Sequence, residues 1–207
     1  SDSGLSTAFG IFNAMIGYEE FQNQQSKLEN KKILIKGYGK VGSRLAQFCK
    51  NSGAMVEVVD FEFKKKIIEK DGFVYLDSYQ DTNFNQIDIF SPCATGGDLN
   101  QEFLDFTKNK KVNCVLGAAN NQLANNDIEK KLFDEGITYC PDYCVNAGGV
   151  IILALRSSIK EDMEYEEQEA KKKLIGIKNQ LKNILLLSKK KNQLNSISAN
   201  QLAEKGF

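Results

Sequence analysis

Along this chain, apolar runs of four or five residues alternate with longer stretches whose apolar positions recur at helical spacing. Leu5, Phe9, Phe12, Ile16 and Phe21 fall at roughly three- to four-residue intervals and predict an amphipathic helix over 5–21. A polar stretch from Gln22 to Lys31 separates it from the first apolar run. Strands are then predicted at Lys32–Lys36, Met55–Val59, Ile87–Phe90, Val112–Leu116 and Ile137–Cys140, with a weaker one at Phe73–Leu76. Helices are predicted between them at Val41–Asn51, Phe63–Lys70, Asn100–Thr107 and Asn126–Asp134. Short apolar strands alternating with helices imply an α/β protein with a mostly parallel sheet, because each crossover lays a helix on a face of the sheet. After Gly149 the character changes. Val150–Ser157 is apolar with helical spacing, and Tyr165 to about Lys191 is a long charged stretch striped by Leu174, Ile177, Leu181 and Leu185. Ala199–Lys205 predicts a last short helix. The chain therefore divides into a leading helix (1–24), an α/β body (25–157) and a C-terminal helical arm (158–207) packing on that body. It has no internal repeat.

The first strand runs directly into Gly37-Tyr38-Gly39-Lys40-Val41-Gly42, and Asp60 closes the second. Strand, glycine turn, helix, strand and acid in that order are the sequence form of a dinucleotide site. Gly37 permits a tight turn off the strand, Gly39 lets backbone N–H groups approach a pyrophosphate, and Gly42 lets the helix pack closely. The helix beginning near Lys40 presents N–H groups and the positive end of its dipole to phosphate. Asp60 stands roughly twenty residues past the turn, the spacing at which an acid reaches the adenosine ribose. The fold class predicted is thus a Rossmann-like doubly wound sheet, with its ligand beyond the carboxyl ends of the strands.

Composition removes several alternatives. Lysine plus arginine and aspartate plus glutamate each number 27, so the net charge is zero and no basic excess marks a nucleic-acid binder. The Lys171–Lys173 and Lys189–Lys191 runs read as solvated faces. No apolar run approaches the ~18–20 residues that cross a bilayer. The chain has no histidine, which excludes Ser-His-Asp and Cys-His chemistry within it. Five scattered cysteines without a CxxC pair predict reduced thiols in a cytoplasmic setting rather than a metal site.

Three further loops follow strand ends: Ser91-Pro92-Cys93-Ala94-Thr95-Gly96-Gly97, Gly117-Ala118-Ala119-Asn120-Asn121-Gln122, and Pro141-Asp142-Tyr143-Cys144-Val145-Asn146-Ala147-Gly148-Gly149. Small residues let a flat ring approach the backbone, and asparagine offers donors and acceptors to an amide or ribose. At these residues the chain resembles the nucleotide-binding domain of the glutamate/leucine/phenylalanine/valine dehydrogenase family, most of all its leucine dehydrogenase branch. Thr7-Ala8-Phe9-Gly10 is similar to the family's TAxG, Asp88–Ala94 to DIFAPCA, Ala119–Leu123 to ANNQL, and Pro141–Gly149 to PDYxxNAGG.

The resemblance implies NAD as cofactor and, as substrate, an L-amino acid exchanged for a 2-oxo acid and ammonia, with a branched-chain or aliphatic one favoured. It places Thr7 on the nicotinamide carboxamide, and Gly39, Lys40 and Val41 along the pyrophosphate, within the cofactor-binding fingerprint that Gly37 and Gly42 bound. Asp60 falls on the adenosine ribose, Cys93, Ala94 and Asn120 beside the nicotinamide ribose, and Asn146 beside nicotinamide and substrate. Val150 and Leu153 would face the substrate side chain. Lys40 stands where the family commonly has Asn, and Thr95 replaces an apolar residue. A competing role for Cys93 as a catalytic thiolate lacks a cationic partner to depress its pKa.

Family members also carry an N-terminal catalytic domain with two lysines and an aspartate, which nothing here matches. The chain opens at the family's interdomain junction. It therefore reads as the cofactor half of a two-domain enzyme, inactive alone and homo-oligomeric when whole. The alternative is a stand-alone, non-catalytic NAD(H)-sensing module.

Overall fold

The structure, a computed structural model, describes residues 3–148 and 163–205. Six strands form one parallel sheet: β1 Lys32–Lys36, β2 Met55–Val59, β3 Val74–Leu76, β4 Gln86–Pro92, β5 Lys111–Val115 and β6 Thr138–Tyr139, in the order β3-β2-β1-β4-β5-β6. The winding reverses between β1 and β4, which lie side by side with Ile33 opposite Ile89 and Lys36 opposite Pro92. Where crossovers leave in opposite directions from two adjacent strands, a crevice opens at their carboxyl ends.

The helices α1 Ser3–Asn23, α2 Gly42–Asn51, α3 Lys65–Lys70, α4 Gln101–Asn109, α5 Asp127–Asp134, the single turn α6 Asp142–Val145, α7 Met163–Lys191 and α8 Asn195–Glu204 complete the described fold. Alternation along β1 explains how both faces are covered. Ile33 and Ile35 join the core under α1, α2 and α7, while Leu34 points to the opposite core with Phe103 of α4 and Leu132 of α5. All three β1 residues are fully buried, so the strand reads as a continuous apolar run.

The alternating elements predicted from the pattern are present, with bounds moved by a residue or two. The β6 strand keeps only two residues, since it is an edge strand with β5 as its one neighbour. Strand β4 runs further than expected, through Pro92, whose nitrogen needs no ladder partner. The last helix starts at Asn195 rather than Ala199: Asn192, at φ 51, ends α7, and Asn195 Nδ2 donates to the Tyr139 carbonyl at 2.7 Å, tying α8 to β6. The α7 stripe of Leu174, Ile177, Leu181 and Leu185 is buried as read. Val150–Ser157 lies outside the described residues.

Helix α1 departs from its predicted stripe. Of Leu5, Phe9, Phe12, Ile16 and Phe21, only Ile16 is buried, and Leu5 is 47% exposed. The deepest positions are Ala8, Ile11, Ala14, Met15 and Tyr18, on a helix wedged between α2 and α7. Phe9 and Phe12 instead meet Phe48 of α2 at ring distances of 5.7 and 5.6 Å. A helix sandwiched this way needs small residues where its neighbours approach, and a hydrophobicity count does not see them. Glu20 bonds Lys178 at 2.9 Å and Lys182 at 2.8 Å, and those lysines hold its carboxyl below the ordinary range.

Two glycines test this packing. A Cβ on Gly17 would sit 2.8 Å from the Lys178 carbonyl oxygen of α7, whereas one on Gly176 would meet nothing within 4 Å. Gly17→Ala is expected to destabilise by roughly 1–3 kcal/mol through forced separation of α1 and α7. Gly176→Ala is expected to stabilise by about 0.5–1 kcal/mol, because it removes backbone freedom from the unfolded chain without a clash. Urea unfolding of the two variants measures both signs.

Candidate functional site

The glycine turn leaves β1 at the crevice. Gly37 has φ 110, and its N–H donates to the Val59 carbonyl of β2 at 2.8 Å. A Cβ there would lie 2.8 Å from the Ala94 nitrogen and 2.9 Å from the Cys93 carbonyl carbon. Only glycine allows both this left-handed turn and the approach of the second loop. A Cβ on Gly42 would overlap the Gly37 carbonyl oxygen, so the third glycine seats α2 against the turn itself rather than against the sheet. Gly39 is exposed and a Cβ on it would meet nothing within 4 Å, so that side of the turn faces open space. Helix α2 starts at Gly42 with no capping side chain at Val41, and in its first turn the Ser43 N–H donates to the Gly39 carbonyl at 3.1 Å, so the positive end of the dipole lies at the turn. Lys40 is exposed beside it.

Asp60 does more than the sequence suggested. Its Oδ2 accepts the Tyr38 N–H at 2.5 Å and its Oδ1 accepts the Phe61 N–H at 2.7 Å, so it braces the middle of the glycine turn. A carboxylate has about four lone-pair sites, so two remain open. Tyr38 completes the brace: its ring is buried against Phe73, and its hydroxyl donates to Asp71 at 2.7 Å. Beyond Asp60, Phe61 and Phe63 are 74% and 77% exposed and stack at 5.9 Å. Lys64 and Lys65 lie over the rings of Phe63 and Tyr75.

The remaining loops join the turn into one rim. Ala119 N–H bonds the Pro92 carbonyl at 2.9 Å, Gly97 N–H bonds the Asn121 carbonyl at 2.8 Å, and Leu99 bridges Leu123 in parallel fashion. A Cβ on Gly96 would fall 2.7 Å from the Asn120 carbonyl oxygen. Asn146 Nδ2 donates to Asn120 Oδ1 at 2.6 Å, and Asp142 Oδ2 accepts the Asn121 N–H at 2.7 Å. Gly148 comes so near α1 that a Cβ would sit 3.0 Å from the Thr7 Cα. Thr7 itself is half-buried and donates to the Ser3 carbonyl at 2.9 Å.

Thr7, Asn146, Asn120, Ala94, Cys93, the glycines and Asp60 thus follow one another along the crevice. Val150 and Leu153 lie outside the described residues. Sequence reasoning missed Tyr38, Asp142 and the buried Gln122, whose Nε2 donates to the Gly117 and Ala119 carbonyls at 3.0 and 2.9 Å. Gln122 and Asp142 stood inside the quoted motifs, but their side chains serve the loops rather than a ligand.

Burial pushes the Cys93 thiol up, against the opposing hydrogen bonds from Ser91 and the Ala118 N–H. The protonated form is favoured, which argues against a thiolate nucleophile. Cys144 is pushed up to about 12, by burial first and then by Cys140 and Asp142. Among the described residues no group of three or more Cys, Asp or Glu side chains is placed to hold a metal ion, and no helix is long and apolar enough to cross a membrane. A separate surface groove of about 360 Å³, lined by Phe21, Glu129, Tyr139, Leu185 and Asn195 among others, shares no residue with the rim.

Parallel order, glycine turn, uncapped helix and acid together define a Rossmann-like domain of the NAD(P)-binding type. The chain belongs to the Glutamate/Leucine/Phenylalanine/Valine dehydrogenase family, whose profile matches residues 61–205. It is 33% identical over 202 residues to leucine dehydrogenase of Thermoactinomyces intermedius, covering 96% of this chain and 52% of that one. It is 38% identical over 157 residues to valine dehydrogenase of Streptomyces albus, covering 74% and 42%. The crystal structure of L-tryptophan dehydrogenase from Nostoc punctiforme superposes with TM-score 0.86 at 28% identity, over 99% of this chain and 61% of that one. The chain spans about half the length of the curated relatives it matches.

Gly39 and Gly42 separate binding from folding. Gly39→Ala is expected to leave stability within ~0.5 kcal/mol, since the methyl meets open space, while lowering dinucleotide affinity by about tenfold or more. Gly42→Ala is expected to lose roughly 1–3 kcal/mol of stability as well. Thermal unfolding and calorimetric titration of each variant check the contrast.

Proposed function

We propose that this chain is the cofactor half of an NAD-dependent amino-acid dehydrogenase that interconverts an aliphatic L-amino acid with its 2-oxo acid and ammonia. The observation that carries the reading is the unbroken rim from Asp60 to Thr7. It carries the Asp60 carboxylate at one end and the Asn120 and Asn146 amides with the Thr7 hydroxyl toward the other, an arrangement that suits the two unlike halves of a dinucleotide.

The rim fits that cofactor. The space above Gly39 and the free end of α2 suit a pyrophosphate, because backbone N–H groups point at the anion without a side chain between them. Asp60 accepts the adenosine ribose hydroxyls, and the exposed Phe61–Phe63 pair offers an aromatic surface beside it. Asn146, whose Nδ2 donates to Asn120 Oδ1 and to the Ala118 carbonyl, keeps its side-chain oxygen for the nicotinamide and substrate end. The bound cofactor supplies hydride transfer; the chain's residues bind it, orient it and limit water at the crevice.

The groups that polarise the substrate carbonyl and handle protons belong, in this reading, to a further domain of a homo-oligomeric cytoplasmic enzyme. The family relationship and the length of the relatives support this division. The relatives include leucine and valine dehydrogenases beside phenylalanine dehydrogenases, so their names support an apolar amino acid and the aliphatic choice rests on the sequence of the chain. In the sequence, the i, i+3 spacing of Val150 and Leu153 is that of an apolar pair, and beside such a pair a glutamate γ-carboxylate would lose hydration without gaining a partner.

Cofactor choice gives the first test. NADPH is expected to bind more weakly than NADH, because its 2′-phosphate meets the Asp60 carboxylate and forfeits hydrogen bonds worth roughly 1.5–3 kcal/mol each. Equal or tighter NADPH binding in a calorimetric titration refutes the role of Asp60. Activity gives the second. The 207-residue chain is expected to bind NADH yet show no turnover with NAD and leucine, valine or phenylalanine, since orientation of the substrate accounts for about 7–11 kcal/mol of such barriers. NADH absorbance is the readout, and sustained turnover would place the catalytic groups in this chain. In the full-length enzyme, kcat/KM is expected to be higher for leucine than for glutamate.

A further inference from the structure

Lys36, the last residue of β1, grips both ends of the loop that carries Cys93 and Ala94. Its carbonyl accepts the Cys93 N–H at 2.7 Å, and its ammonium lies 2.5 Å from Asp98 Oδ1. Between those two points Gly37 lies directly against the Cys93 and Ala94 backbone. The ion pair is little exposed, at 28% for the Lys36 side chain and 10% for Asp98, and the ammonium stands 5.8 Å from the centre of the Tyr79 ring. The second oxygen of Asp98 is buried with no hydrogen-bond partner among the described residues. Asp98 therefore forgoes part of its hydration to stay beside Lys36, an arrangement that only a well-placed counter-charge sustains. Beyond the pair, Gly97 and Leu99 are bonded to the Asn121 and Gln122 carbonyls. The loop is thus pinned to β1 on one side and to the following loop on the other.

We propose that Lys36 and Asp98 are positioning residues for the nicotinamide half of the cofactor. Their ion pair sets the height of the 93–98 loop above the end of β1, and so sets where Cys93 and Ala94 meet the nicotinamide ribose. The proposal rests on the cofactor-site reading above. The pyrophosphate and adenosine portions lie on the glycine turn and Asp60, which the pair does not hold. The pair acts on one half of the ligand through the loop. Removing one partner leaves the other charge without its counter-ion, and the loop must shift to bring that charge to water.

The test compares NADH with ADP-ribose, which lacks the nicotinamide, in calorimetric titrations of the full 207-residue chain and its variants. Asp98→Asn and Lys36→Met are expected to weaken NADH by about tenfold or more while leaving ADP-ribose within about twofold. Lys36→Arg keeps the charge and is expected to restore NADH affinity. Should a single variant fail to fold, Lys36→Met/Asp98→Leu removes both charges without leaving one buried, and the same split between ligands is expected of it. Equal losses for the two ligands would make the pair a general stabiliser and overturn the proposal, as would unchanged NADH binding. If the unaltered chain binds ADP-ribose and NADH alike but the variants show no split, the positioning role alone falls. If the unaltered chain binds neither, the cofactor-site reading falls and takes this proposal with it.

Discussion

Everything at the carboxyl end of this sheet depends on how closely Gly37 approaches the backbone of Cys93 and Ala94. A side chain at position 37 would force β1 and β4 apart at their ends, where the winding reverses and the crevice opens. The same glycine donates to Val59 of β2, and its carbonyl forms the seat on which Gly42 and helix α2 rest. One residue without a Cβ therefore joins three neighbouring strands and the helix that follows the glycine turn. The approach is steric in origin: no favourable bond between Gly37 and Ala94 is needed, only the absence of an obstacle. Selective pressure on such a position acts through volume and backbone angle rather than through chemistry.

The outer loops extend this logic. Gly96 lies against the next loop and Gly148 against α1, so the path from the glycine turn to Thr7 consists of close backbone passages stitched by amide–carbonyl bonds. Side chains enter as braces. Asp60 holds Tyr38, Asp142 holds Asn121, and Gln122 spans two carbonyls of its own loop. These bonds to protein groups set the shape of the crevice in advance of binding. Such preorganisation lowers the ordering cost that a ligand would otherwise meet.

How much of this was legible beforehand follows from the range of each interaction. The parallel sheet could be read because β1, β2, β4 and β5 are short apolar runs punctuated by turns, and the glycine turn because its spacing is local. Helix α1 was placed but its buried face was not: Ala8 and Ala14 are buried by contact with α2 and α7, and nothing in the spacing of Leu5, Phe9 and Phe12 reports those neighbours. The place of Asp60 at the end of β2 could be read from the sequence, but its bond to Tyr38 could not, since it depends on how the turn folds back. The pairing of Lys36 with Asp98 joins distant segments and leaves no mark in either one. Resemblance reached further than pattern, because loops such as Ala119–Leu123 have no periodicity from which to argue.

The dominance of main-chain bonds along the rim has a consequence for how such a domain can diversify. Lys40, Thr95 and Asn120 are exposed at the crevice, while the loops that carry them are secured through neighbouring amides, carbonyls and glycines. The scaffold and the ligand-facing chemistry are therefore encoded by largely separate sets of positions. A lineage can exchange the outward set and inherit the frame unaltered. Mutational drift toward new ligand preferences is cheap in such a molecule as long as the glycines stay where they are.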